Sequence, residues 1–171
     1  MKRERGVASL KSPSSIVLLL VSALLLACGG HSLHSYQSVG GEWHRGRSLS
    51  FVQDSASCTA ADTLALYVGV RYSAAYKYRN LCLQVTGIVG YDSIISRDTI
   101  CCDIYDAAGH HNGSTAGALY QAEYYVAPVP APRNIAHTIR LQHIMQDSLL
   151  QGIYDVGIRL VPLGRHQCAE R

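Results

Sequence analysis

An all-β fold, an antiparallel two-sheet sandwich of jelly-roll type, is what this sequence predicts, and three observations predict it. Apolar residues recur at every second position through much of the chain beyond residue 47. Clusters of glycine, proline, asparagine and aspartate interrupt that alternation at short intervals. No stretch beyond the first 27 residues carries an apolar stripe at helical spacing. Period-two runs rich in Val, Ile, Thr and Tyr mark strands whose alternate side chains line one face. Several such runs separated by turn signals suit a sandwich or a jelly-roll-like barrel.

The strands fall at 47–54, 63–72, 80–90, 92–105, 117–126, 134–144 and 153–162. Leu64, Leu66, Val68 and Val70 share one face, with Thr63, Ala65, Tyr67 and Arg71 on the other. Leu81, Leu83 and Val85 repeat the pattern, as do Ile139 with Leu141, and Val156, Ile158 and Leu160 opposite Asp155 and Arg159. Turn chemistry at Gly87 to Asp92, Gly109 to Gly117 and Pro128 to Pro132 separates them. Eleven tyrosines against one Phe and one Trp fit a β surface that is partly buried and partly wet.

The first 27 residues are of another kind. Lys2, Arg3, Arg5 and Lys11 face a single acid, Glu4, and the apolar run from Ile16 to Ala27 follows, broken only by Ser22. Its 12 residues are too few to cross a hydrocarbon core of roughly 30 Å, which takes about 20 helical residues. A positive zone before a short apolar one is the build of a signal peptide. It ends at Leu25-Leu26-Ala27-Cys28, which resembles the lipobox of bacterial lipoproteins, Leu26 being bulkier than the residue usual there. A small residue lets the peptidase approach the bond between Ala27 and Cys28. The Cys28 thiol forms the thioether to diacylglycerol, and the amine freed by cleavage is acylated. An ordinary secretory signal with an incidental cysteine is the alternative. The expected organisation is a signal peptide over 1–27, a lipidated tether over 28–35, one β-sandwich domain over 36–164 and a short tail over 165–171.

Without the signal, 144 residues remain, enough for one domain with a sizeable core. The chain as a whole has 15 basic and 12 acidic residues, and the signal holds four and one of these. The mature chain is therefore neutral, and nothing in its charge points to nucleic acid or to anionic lipid. With Cys28 assigned to lipid, Cys58, Cys82, Cys101, Cys102 and Cys168 remain. An exported protein is free to form disulfides, but an odd number leaves one thiol over. The preferred reading is that they serve as small half-buried hydrophobes. One structural disulfide is the alternative, with its pairing open. Cys101 and Cys102 are strand neighbours and point to opposite faces.

Three constellations bear on chemistry. His110 and His111 lie in a polar loop near Asp103 and Asp106, a possible metal site without ligand spacing; two exposed imidazoles are the plainer reading. His137 and His143 share a strand face, but six residues span about 20 Å, too far for one ion. Asp103 and Asp106, three apart on a predicted strand, face opposite sides, which suits no paired acid–base work. No nucleophile elbow or phosphate-binding glycine loop is present. No catalytic residue, metal or cofactor is expected. Tyr76, Tyr78, Tyr120, Tyr124 and Tyr125 are available as a glycan platform, against ordinary packing over a sheet.

From Tyr36 to Leu160 the order of elements resembles the GldH gliding-motility lipoproteins of the Bacteroidetes. Tyr36 and Trp43 precede a strand with Leu49 and Phe51, and Arg71 is followed by Tyr76-Lys77-Tyr78-Arg79-Asn80-Leu81. Asp98-Thr99 opens the strand ending near Asp106, and Gly109, Gly113 and Gly117 follow. His143-Ile144-Met145 and the run Gly152 to Leu160 close the domain, the last run being the most specific. Two positions depart: His111 stands where relatives commonly carry an aromatic, and Thr115 where a glycine is usual. The resemblance implies an envelope role tied to gliding and protein secretion, with no enzymatic activity. An acidic cluster after the lipidated cysteine, like that of surface-displayed lipoproteins in this group, is missing from Gly29-Gly30-His31-Ser32. The expectation is an outer-membrane lipoprotein facing the periplasm and binding another envelope protein. A glycan-binding sandwich and a metal hydrolase centred on His110, His111 and Asp106 are the rival readings.

Overall fold

The computed structural model describes residues 33–53, 63–131 and 135–163. Its strands are β1 (Leu33–Ser38), β2 (Glu42–His44), β3 (Leu49–Gln53), β4 (Thr63–Tyr72), β5 (Asn80–Val89), β6 (Ser93–Asp103), β7 (Ser114–Ala116), β8 (Leu119–Pro130), β9 (His137–His143), β10 (Leu149–Gln151) and β11 (Ile153–Leu163). They form a five-stranded sheet in the order β1-β11-β4-β8-β7, a four-stranded sheet in the order β3-β9-β5-β6, and a ribbon of β10 with β2. All pairings are antiparallel, and among the described residues there is no helix. The chain passes directly between the two larger sheets after β3, β4, β6 and β8, and through the ribbon between β1 and β3 and between β9 and β11, the winding of a jelly-roll-like sandwich.

The alternation read from the sequence sets the register. Leu64, Leu66, Val68, Val70 and Tyr72 of β4 are buried beside Val156, Ile158 and Leu160 of β11. They share one core with Leu81, Leu83 and Val85 of β5, Leu141 of β9, and Leu49 and Phe51 of β3. Each such side chain contributes roughly 1.5–3 kcal/mol on burial. A slip of one residue would turn all of them outward, so the pairing is strongly specified.

Several expectations need correction. The turn read at Pro128 to Pro132 is strand as far as Pro130, where Pro128 pairs with Ala65 and Pro130 with Thr63. β7 reaches only Gln121 along the other side of β8. Both prolines thus sit on an open sheet edge, where a missing N–H is tolerated and blunts further pairing. The strand expected over 92–105 stops at Asp103, so Asp106 lies in a turn beyond it. The tether expected to end at residue 35 gives Leu33, His34 and Ser35 to β1, paired with Leu160, Arg159 and Ile158. Cysteines expected to act as plain hydrophobes include a Cys82–Cys101 disulfide. These residues lie directly opposite on β5 and β6, and a bond closing a loop of about 20 residues constrains the unfolded chain by about 3 kcal/mol. Cys102, the next residue, is buried, and burial pushes its thiol up to about 12. Residues 1–27 with Ala27, then Cys28, Cys58, Cys168 and the tail over 165–171, lie outside the described residues.

The two ends of the sandwich are built differently. At one end the β2–β10 ribbon inserts Trp43 and Leu150, both fully buried, and the Trp43 indole donates to the Arg47 carbonyl at 2.9 Å. The loops 73–79 and 104–113 close the same end over Tyr72, Tyr76 and Ile104. The other end carries the start of β1 and the β5–β6 turn.

Two predictions follow from the capped end. Gly152 has φ +88°, and a Cβ there would lie 2.4 Å from the Tyr76 backbone nitrogen. Its own N–H and carbonyl tie Gly41 to Ser73 at 2.8 and 2.9 Å. Gly152→Ala therefore lowers stability by about 3 kcal/mol, from left-handed strain and a backbone clash together. Gly46→Ala, with open space around it, shifts the urea midpoint far less. His143 is fully buried, with its ring edge-on to Trp43 at 5.2 Å and neither ring nitrogen in good hydrogen-bond geometry. Burial pushes its pKa below the usual histidine value; the nearby Trp43 and His44 backbone opposes this, while the Arg45 and His44 charges add to it. A histidine held neutral in the fold gives stability that is present above its unfolded pKa, about 6.5, and lost as pH falls below it. His143→Phe removes that loss, so the wild-type stability curve falls faster below pH 6.5, by at most about 1.4 kcal/mol per pH unit. Equal slopes in urea melts at pH 5 to 7 would contradict this.

Candidate functional site

Residues far apart in sequence meet on the outer face of the five-stranded sheet. Register places Tyr36, Gly157, Gly69 and Glu123 in one row across β1, β11, β4 and β8. The rows on either side hold Ser38, Asp155, Arg71 and Gln121, and His34, Arg159, Tyr67 and Tyr125. Side chains two apart on a strand share a face, so these three rows form one continuous surface.

The middle row explains the glycines. A Cβ on Gly157 would meet the Tyr36 ring at 2.6 Å, and one on Gly69 would meet the Tyr36 hydroxyl at 2.1 Å. The ring therefore lies flat across both strands, an aromatic covering positions that have no side chain of their own. Its hydroxyl is enclosed and has no hydrogen-bond partner, and burial, with the Glu123 charge adding, raises its pKa.

Charged residues frame that ring. The Arg71 guanidinium lies 4.6 Å over Tyr36, donates to the Gln121 side-chain oxygen at 2.9 Å and sits 3.8 Å from Asp155. Arg159 lies 4.2 Å over the Tyr67 ring and donates to the Glu123 carboxylate at 2.8 Å. Tyr125 meets Tyr67 edge to face at 5.5 Å and is half exposed. Two arginines against two acids leave the face neutral. Each pair is partly solvated and worth little alone, but the set holds long side chains in fixed positions. Tyr36, Arg71, Asp155, Gly157 and Arg159, quoted above from separate motifs, thus belong to one surface. Sequence reasoning had no signal for Glu123, Gln121 and Tyr67 as their partners, because strand order decides who sits opposite whom.

The residues weighed for metal binding are not brought together. His110 Nδ1 lies 3.1 Å from the Asp106 carboxylate, whose other oxygen accepts the Ala108 and His110 backbone N–H groups. Those hydrogen bonds from His110, backbone first, hold the Asp106 carboxyl below the usual carboxylate range. Asp106 thus builds the turn. His111 turns the other way and stacks on Tyr120 at 3.5 Å, with Tyr105 at 4.7 Å and Tyr72 at 5.7 Å. Among the described residues no group of three His, Cys, Asp or Glu side chains converges. His137 and His143 stand at opposite ends of β9.

The tyrosines weighed as a glycan platform are mostly engaged in the fold. Tyr76 is buried and donates to the Asn80 carbonyl at 2.8 Å, Tyr124 donates to the Asp103 carbonyl at 2.6 Å, and Tyr78 donates to the Asp147 carboxylate. Tyr120 stacks on Tyr72 at 5.6 Å. Of the five, only Tyr125 presents half its surface to solvent.

The imidazole of His111 fills an aromatic position while burying an Nδ1 that has no partner. His111→Phe keeps the stack and removes the unsatisfied atom, so it stabilises by up to about 1 kcal/mol. His111→Ala loses the ring contacts and destabilises by about 1–2 kcal/mol. Thermal melts of the two variants read both signs.

Comparison with known proteins gives three results. A search of curated proteins returns no match. Among solved structures, dimeric latent PorU from Porphyromonas gingivalis aligns over 80% of this chain at 5% identity and a TM-score of 0.35. The VP2 subviral particle of infectious bursal disease virus aligns over 78% at 11% identity and 0.31. The chain spans only 14% and 31% of those two proteins, and at such scores nothing is taken from them. The model of the GldH lipoprotein family, in contrast, matches residues 31–160. That span runs from just before β1 to Leu160 of β11 and takes in every residue of the Tyr36 face, and on it the chain belongs to the GldH lipoprotein family.

Proposed function

We propose that this protein is a non-catalytic component of the outer membrane, anchored through lipid on Cys28 and facing the periplasm, that holds another envelope protein on its Tyr36 face. The observation that carries the reading is the convergence of Tyr36, Tyr67, Tyr125, Arg71 and Arg159 on one outer face. Tyrosine and arginine are the residues that most often dominate binding energy at protein interfaces. Here the arginines are already held by Asp155, Glu123 and Gln121. Little side-chain freedom is lost when a partner arrives, which favours affinity. Because the face is neutral, the partner is selected by shape and hydrogen bonding rather than by net charge.

The anchor contributes by concentration. A domain confined to a membrane surface meets a partner in that membrane at a high effective concentration without any new contact. Of the five tyrosines weighed for the glycan reading, Tyr125 alone is exposed.

The test places a photo-crosslinking residue at Tyr125 in the native host, with the same residue at Val52, exposed on the other sheet, as control. The expected result is capture of one envelope protein from position 125 alone, lost in Cys28→Ala and at least tenfold weaker in Arg159→Glu. Equal capture at both positions, or none, would overturn the assignment of this face.

A further inference from the structure

Among the described residues, the other end of the sandwich carries a group of apolar side chains that the core does not use. Tyr91 in the β5–β6 turn is fully exposed, and Ile94, Ile95 and Ile135 are each about half exposed. Leu163, at the end of β11, is exposed to a similar degree. They come together for identifiable reasons. The register of β5 and β6 shifts between Gly87 and Ile88, pairing Ile88 with Ile94 and Gly87 with Ser96. Ile95 is therefore the extra residue of a β-bulge, a device that re-aims side chains, and both isoleucines stay in solvent. The Gly90 N–H donates to the Ala136 carbonyl at 3.1 Å, which sets Ile135 beside the turn. Ile95 also lines a small cleft with Val129 and Pro130 of the other sheet. Pro130 pairs with Thr63, and Thr63 with Leu163. All five residues thus belong to one end of the molecule, with Asp92 the charge in the turn itself.

The anchor leaves from that same end. β1 runs antiparallel to β11, Leu33 facing Leu160 and Ser38 facing Asp155, so β1 begins at the end of the sheet that carries Leu163. Only five peptide steps separate Cys28 from Leu33, a reach of at most about 18 Å. The opposite end is closed by Trp43, Tyr72, Tyr76 and Leu150, all buried.

We infer that this end, through Tyr91, Ile94, Ile95, Ile135 and Leu163, rests on the surface of the bilayer that holds the Cys28 lipid. The inference depends on that lipidation. Among the described residues, a tyrosine and short apolar groups beside the Asp92 carboxylate suit the headgroup boundary, where a ring sits at the interface and isoleucines dip below it. The neutral mature chain adds no electrostatic attraction, so contact comes from apolar burial and from the short tether, and the domain is held in one orientation.

The full lipidated chain, reconstituted in phosphatidylcholine vesicles whose acyl chains are brominated near the headgroup, tests this by tryptophan quenching. Trp43 is the sole native tryptophan and lies buried at the far end. In Ile94→Trp about half of the added emission is expected to be quenched, while Ile144→Trp, exposed at the far end, stays unquenched. Protein that floats with the vesicles yet shows Ile94→Trp no more quenched than Ile144→Trp overturns the resting end and leaves the anchor intact. Failure of the wild-type chain to float, with no lipid mass on Cys28, overturns both. A concentration-dependent dimer in detergent, abolished by Ile94→Ser with Ile95→Ser, would assign the end to a second copy instead.

Discussion

Tyrosine hydroxyls donating to loop carbonyls hold the capped end of this molecule together, and the sandwich depends on them. A chain that crosses between its two larger sheets six times must carry backbone across the ends of its core, where carbonyls lose water without gaining a ladder. Here Tyr72 reaches the carbonyls of Ile104 and Asn112 at 3.1 and 3.0 Å, Tyr105 that of Tyr76 at 2.7 Å, and Tyr76 that of Asn80 at 2.8 Å. Each ring adds its area to the core while its hydroxyl answers a buried acceptor. Burial raises these phenols, Tyr72 to about 12, so they remain neutral donors at any physiological pH. A phenylalanine would remove these hydrogen bonds, at about 1–3 kcal/mol for each carbonyl left without another donor. This is a physical reason for eleven tyrosines beside one phenylalanine.

The same residue type does different work on the outer face of the five-stranded sheet. Two glycines opposite each other, Gly69 and Gly157, weaken a sheet by leaving no side chain to pack. Tyr36 from the edge strand covers both, and Arg71 covers Tyr36 in turn. The face is therefore layered, and its outermost groups are held by partners on neighbouring strands. Glycine in the middle of a strand is tolerated here because a ring crosses it.

How much of this was legible depended on the range of the interactions involved. β4 was readable to the residue, because ten positions of strict alternation leave no other periodicity. β2, β7 and β10 were not, since three residues carry no period and exist through pairing alone. The prolines at 128 and 130 signal a turn locally and are admitted to a strand only because β7 stops short of them. The opposite facing of Cys101 and Cys102 followed from strand geometry. Their choice of partner did not, because it rests on the register of β5 against β6. Tyr36, Arg71, Asp155 and Arg159 were visible as family motifs in order, and Gly29 to Ser32 as a stretch without acids. That the first four share one surface is a consequence of strand order, which no local pattern encodes.

The sandwich has two unlike ends and one ordered face, and together these constrain how it can work. Strands run between the ends, so with the Leu33 end on a bilayer the sheets stand off the membrane. The Tyr36 face then looks sideways along the membrane surface. With only five residues from Cys28 to the start of β1 and that end seated on the bilayer, the face would stay turned along the membrane. A lateral partner in the same envelope would meet it already oriented, and the entropy otherwise lost in ordering two molecules is reduced before they touch. On this reading the lipid and the interface would act as one device: the anchor would set height and direction, and the Tyr36 face identity.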